Sequence, residues 1–427
     1  MTNNEQLLHY VWKFRLFEFD SLVTTDGIKV EVIDPGIRNP NAGPDFFNAK
    51  IKMGDKVWAG NVEIHRSSDE WEKHGHHSDK AYNSVILHLS EKVNKEVTNE
   101  KGQPVPQCKL TVPDGVRKHA NYLMHSDSNI PCRNWLSSLP KDTMNSYLGA
   151  LSIERLERKT NDIFLHLERF HNSWDDVFYV ILTRNFGFGL NSDEFERLAL
   201  SLPFSYIQKH SDDLFQVEAL MFGQAGMLED KTVIDEYYTQ LQEEYGFLKA
   251  KYSLKNIDGF LFKKLRVRPQ SFPQVRIAQL AAILQKSGRL FSTILEKEDY
   301  HQFLSHFRTE PSAYWQHHYS FGKESGKSSK KLGFPSLNTL LVNTVAPILF
   351  AYGKKTSTEK YGDRAVRILE SVKPERNAIV NEFEEAGLIP KNAFDTQALI
   401  QLRKEYCDKR KCLYCRIGYS ILSSRTT

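Results

Sequence analysis

The chain has 427 residues, of which 40% are hydrophobic and 26% charged, with a net charge of +4. That length buries a large core and suggests two or three domains. The composition is that of a globular protein rather than a disordered or fibrous one. A charge so close to balance does not by itself call for nucleic acid, and only a local concentration of Lys and Arg would.

In chain order, EQLLHYVWKFRLFE (5–18) reads as an amphipathic helix with Leu8, Trp12 and Leu16 on one face. The amino-terminal stretch has none of the marks of a signal peptide. No stretch reaches the roughly 18–20 consecutive apolar residues of a membrane span; the longest, LNTLLVNTVAPILFAYG, is broken by Asn338, Asn343 and Pro347. A cytoplasmic protein with no membrane partner is expected. IKVEVIDPG is a short strand closed by Pro35-Gly36, and RNPNAGP is a loop. FFNAKIK and KVWAGNVEIH, bent at Gly54-Asp55, form a β-hairpin. VILHLSEKV and the segment around CKLTVP supply further strands.

From about Trp135 the pattern becomes helix upon helix, over 143–167, 175–188, 193–202, 231–252 and 275–296. GKESGKSSKKLG (322–333) reads as an exposed basic loop. The glycines of FGFGLN and LMFGQAGML (Gly187, Gly189, Gly223 and Gly226) lack the pattern of a phosphate loop and suit close helix packing or tight turns. The expected fold is α+β, with a mixed α/β domain over 1–125 and a large all-helical region over 126–427.

The chemistry concentrates in the hairpin. Asp45 heads the first strand after Gly43-Pro44, and Glu63 and His65 alternate onto one face of the second. A metal-dependent nuclease needs oxygen ligands converging on a divalent ion and a basic group near the attacking water. Pro44-Asp45 followed by Glu63-Ile64-His65 resembles the PD-(D/E)xK nuclease superfamily, with histidine where lysine is usual. The resemblance implies that Asp45 and Glu63 bind Mg²⁺ or Mn²⁺ and that His65 orients or deprotonates water. It also makes Glu5 on the first helix an accessory acid. Histidine lacks lysine's fixed charge, so the alternative is a non-catalytic nucleic-acid or protein interaction module whose nuclease-like domain has decayed. A further alternative is a small-substrate hydrolase, in which the histidines of DEWEKHGHHSDKAY join Glu63 and His65 around a transition metal. Against it, His74-Gly75-His76-His77 does not place its rings on one helical face, and at least two of the three are expected to be exposed. His88, in an apolar strand, reads as a hydrogen-bonded core histidine.

Five cysteines, an odd number, argue against a disulfide framework. Cys407, Cys412 and Cys415 crowd into nine residues, a spacing that can surround one soft metal. Cys132 is the expected fourth ligand of a zinc or [4Fe–4S] site, and Cys108 is a small core residue. Some nucleases of the superfamily resemble this plan, with one cysteine apart from three. Lys263, Lys264, Arg266, Arg268 and Arg276, interleaved with phenylalanines, are the expected nucleic-acid contacts. The whole pattern, from GPDFFNAKI and WAGNVEIH through RVRPQSFPQVRIAQLA and NTVAPILFAYG to the cysteine segment, closely resembles the bacterial family known as domain of unknown function 2851.

Overall fold

The computed structural model describes residues 3–18, 21–286 and 288–424. It shows an α+β protein: a mixed sheet near the amino terminus, followed by a largely helical region. The chain divides into two compact units. One comprises residues 1–143, 385–388 and 402–427, and the other 144–384 and 389–401.

In the first unit, helix α1 (Asn3–Lys13) buries Leu7, Leu8, Val11 and Trp12. It stops short of the expected end at residue 18. Arg15 takes a left-handed φ of 52°, and the Leu16 amide folds back onto the Val11 carbonyl at 2.9 Å. The Trp12 indole donates to Pro35 O at 3.0 Å and ties the helix to the loop after β1 (Val30–Asp34). After the two-residue β2 (Ile37–Arg38) comes the expected hairpin, β3 (Phe46–Met53) and β4 (Lys56–Ser67). Its bend is Gly54-Asp55, where Gly54 has a φ of 57°. Strand β5 (Val85–Lys92) pairs parallel with β4, and β6 (Gln107–Lys109) pairs parallel with β5. The order along the sheet is β1-β3-β4-β5-β6, with β2 pairing β3. A bulge between Phe46 and Ala49 puts Asn48 at a φ of 57° just beyond Asp45. Bulges of this kind re-aim the side chains beside a site.

The second unit packs its helices around one core that includes Phe178, Phe222, Trp315 and Leu341. Helices run over Lys141–Arg169, Trp174–Phe186, Ser192–Ser201, Glu236–Tyr252 and Pro273–Lys286, and a separate one over Leu290–Glu296 stands where the pattern suggested continuation. The apolar segment at 334–356 is a single helix of 23 residues, and by length and composition it is the one described helix able to cross a membrane. Its apolar residues Leu337, Leu340, Leu341, Val345 and Leu349 belong to the core, which accounts for them. Asn338, Asn343 and Pro347 do not break it. A π turn over Leu341–Val345 precedes Pro347, whose missing N–H would otherwise interrupt the ladder. The 322–333 loop is mostly exposed, yet Lys330 is buried, its ammonium 3.9 Å from the centre of the Tyr319 ring.

Gly223 permits one close approach. A Cβ there would lie 2.0 Å from Cγ of Tyr245, a buried ring whose hydroxyl donates to Gln224 Oε1 at 3.1 Å. Gly223→Ala is expected to cost about 2–3 kcal/mol of stability, read as a lower urea midpoint. An unchanged midpoint would show that the ring moves aside freely.

Candidate functional site

Three segments of the first unit build the site. Strand alternation places Glu63 and His65 on one face of β4 and Val62 and Ile64 on the other, all four buried. The parallel register sets His88 of β5 opposite Glu63. Between the strands, the chain makes the short helix α2 (Glu70–Lys73), ends it at His74, and turns at Gly75. Gly75 has a φ of 78°, a left-handed conformation glycine adopts without strain. His76 then opens a short 3₁₀ turn. This reversal, not a helical repeat, brings the rings of His74 and His76 to 5.5 Å. Trp71 is fully buried, donates to Thr98 O at 2.9 Å, and packs against His76 in a T-shaped contact and against His88 at a tilt.

The polar atoms converge. His65 Nε2 lies 3.2 Å from His74 Nδ1 and 3.5 Å from Glu63 Oε1. His76 Nε2 is 3.3 Å from the same carboxyl oxygen. Among the described residues, His65, His74 and His76 form the group whose ligand atoms all lie within 4.8 Å of one another. Behind them, His65 Nδ1 is 2.9 Å from His88 Nε2. The tautomer in which His65 Nδ1–H donates to His88 leaves the His65 Nε2 lone pair facing the cluster, as metal-binding histidines are usually held. The His76 ring stacks on Tyr82 at 3.7 Å. On the other side, the second Glu63 oxygen accepts from the Asp45 amide at 3.0 Å, and Asp45 Oδ2 accepts from the Ile64 amide at 3.0 Å. His9 of α1 stands 3.2 Å from that Asp45 oxygen.

Burial, then the neighbouring Asp45 charge, pushes Glu63 up to about 9, and Glu5 adds to the rise. Burial and the surrounding imidazoles hold His65 down at about 2, and burial with His76 holds His88 at about 3. Burial also lowers His76. At neutral pH His65, His76 and His88 are therefore neutral imidazoles beside a protonated Glu63 carboxyl. The nitrogens of His65, His74 and His76, with the Glu63 carboxyl beside two of them, can share a proton or hold a metal ion.

The expected residues Asp45, Glu63 and His65 are thus brought together, with Glu5 near enough to act on Glu63. Sequence reasoning leaves His9 out of the site and brings His74 and His76 to it only under the transition-metal alternative, in which the connector histidines join Glu63 and His65. As expected, His74 and His77 are exposed, but exposure does not keep His74 from the cluster. The signal was the HGHH run beside a buried glutamate. His88 is the expected hydrogen-bonded core histidine.

Next to His9 lies a cleft of about 440 Å³. Lys13, Arg38 and Arg416 supply positive charge to it, and Tyr10, Phe14 and Tyr419 supply aromatic wall. A family model described as "Protein of unknown function (DUF2851)" matches residues 5–378. The chain belongs to this family. No curated protein and no solved structure matches it. The DUF2851 match takes in the hairpin, the histidine connector and Cys132, and ends before Cys407.

Elsewhere in this DUF2851 member, Lys263, Lys264, Arg266 and Arg268 are exposed on the helical unit. Lys263 is 3.5 Å from Glu194. Arg276 differs: it points inward, lies 4.1 Å from the centre of the Phe188 ring and donates to Gln279, Ser271 and Ser336. Burial lowers it to about 10. Its guanidinium is thus engaged within the helical unit, unlike the four exposed basic residues. Cys108 is a fully buried residue of β6, and the other four cysteines are buried in the first unit.

Proposed function

We propose that this protein is a metal-dependent phosphodiesterase acting on a nucleotide-bearing substrate, DNA or RNA included. The observation that carries the reading is the meeting of the His65, His74 and His76 ring nitrogens, with Glu63 Oε1 3.5 Å from His65 and 3.3 Å from His76 and with Asp45 adjoining. Three imidazole nitrogens and one carboxylate oxygen favour Mn²⁺ or Zn²⁺ over Mg²⁺, which prefers oxygen ligands and water. When bound, such an ion supplies Lewis-acid polarisation of a phosphoryl oxygen and makes water acidic enough to attack near neutral pH.

His65 serves here as a ligand and not as the base. It is 1% exposed, and its two nitrogens face His88 and the cluster. Asp45, backed by His9 at the edge of the cleft, is the group placed to hold a proton. Lys13, Arg38 and Arg416 suit a phosphate backbone, and the cleft's aromatics suit unpaired bases.

The test is the full chain with Mn²⁺, Zn²⁺ or Mg²⁺ against single- and double-stranded DNA, RNA and a chromogenic phosphodiester. Hydrolysis with Mn²⁺ or Zn²⁺ that chelation abolishes is the expected result. Bound metal without hydrolysis of any substrate overturns it and favours the interaction module, the reading that a neutral histidine in place of lysine supports. Lys13→Ala or Arg416→Ala is expected to raise KM about tenfold, the loss of one charge-assisted contact. Little change in kcat should accompany that rise, and steady-state kinetics at two salt concentrations checks it.

A further inference from the structure

We propose that Cys132, Cys407, Cys412 and Cys415 hold a [4Fe–4S] cluster. The site is independent of the histidine cluster and of the hydrolytic reading. Four cysteines from two segments more than 270 positions apart in the chain line one small, almost wholly apolar cavity, together with Leu123 and Gly418. None is in a disulfide, and all are buried. Cys132 lies within electrostatic reach of each of the other three sulfurs.

The local structure around the triplet aims the thiols inward. A π turn over Leu402–Cys407 delivers the first, a 3₁₀ turn over Cys412–Tyr414 the second, and the third precedes the helix Arg416–Ser423. That helix packs so close that a Cβ on Gly418 would lie 2.0 Å from the Cys412 carbonyl oxygen. Arg410 donates to Ser128 O at 2.9 Å and fastens the triplet to the segment that carries Cys132.

Spacing distinguishes the cofactors. A zinc ion with four thiolates at 2.3 Å draws the sulfurs to about 3.8 Å from one another. Among the described residues no three cysteine sulfurs lie within 4.8 Å of one another, whereas the three histidine nitrogens do. Sulfurs that share one cavity yet stand wider than a single zinc requires suit a cubane, whose four irons and four sulfides stand between them. Assembly takes two ferrous and two ferric ions with four sulfides, and each thiol releases its proton as its sulfur bonds iron. Cys412, whose thiol donates to Leu123 O at 3.5 Å, exchanges that bond for the iron. Because Cys415 also lines the basic cleft, the cluster would fix the wall that carries Arg416 and Tyr419.

The experiment is anaerobic purification of the full chain from iron-replete cells, with metal and acid-labile sulfide analysis and a visible spectrum before and after dithionite. The expected result is about four iron and four sulfide per chain, with a broad visible band that dithionite bleaches. Cys132→Ser should remove the band, and Cys108→Ser, which alters a buried cysteine outside the cavity, should keep it. Iron-free protein overturns the proposal, whether its four thiols are free to titrate or hold a zinc ion that Glu63→Gln, which disables the histidine site, still retains. The wild-type analysis decides even if Cys132→Ser fails to fold.

Discussion

Glu63→Gln is expected to lower phosphodiester hydrolysis about a thousandfold, some 4 kcal/mol of barrier, while leaving the fold intact. Glu63 is buried, and its environment pushes it up to about 9, so the metal-free protein already holds a neutral side chain there. A neutral amide replaces a neutral acid of the same shape, and its carbonyl can still accept from the Asp45 amide, which now sits 3.0 Å from a Glu63 oxygen. What glutamine lacks is the anion that completes the donor set beside His65 and His76. Metal content measured after dialysis should fall with the rate, and the melting temperature of the chelated protein should hold. His76→Ala should also lose the metal, but it removes the ring stacked on Tyr82 and should lower stability as well. A Glu63→Gln protein that keeps both metal and rate removes Glu63 from the mechanism. Since binding displaces a proton from this carboxyl, apparent metal affinity should rise with pH below about 9.

The hairpin and its acid pair could be read from residues because a strand's side-chain period is local. Phe46, Ala49, Ile51 and Met53 fall to the core, and Gly54 supplies the bend. From that pairing follows the approach of Asp45 to Glu63 and Ile64. The rest of the cluster is not local. His74 and His76 meet through a left-handed glycine, a geometry that helical spacing rules do not contain. His9 reaches Asp45 only because α1 folds back onto the sheet. The inward turn of Arg276 likewise depends on Phe188 and Ser336, both remote in sequence. The cysteines were legible as a spacing, but periodicity assigned residues 402–427 to the helical region. The fold instead groups them with the sheet-bearing unit, because long-range packing decides where a terminal segment goes.

A second large effect is expected from Glu218, far in sequence from the hairpin. It lies on the helix Leu214–Gln224, is fully buried in the helical unit, and accepts a hydrogen bond from the Tyr237 hydroxyl. Burial raises it from 4.5 to about 7. A carboxyl raised on folding binds its proton more tightly in the folded chain than in the unfolded one. Stability is therefore unpenalised below the unfolded value near 4.5, falls as pH climbs from there to about 7, and levels off above. The full loss is of order 3 kcal/mol. Glu218→Gln carries no such proton, so its own dependence should lack this component. Urea unfolding at pH 5 and pH 8 should show the variant gaining on the wild type by up to about 3 kcal/mol between the two. Any fixed cost of the amide beside Tyr237 shifts both values equally and cancels from the comparison. A wild-type and variant difference that stays constant across the interval would mean that Glu218 remains ionised inside the core, stabilised there by Tyr237 and Ser312, whose hydroxyls lie 3.1 Å apart.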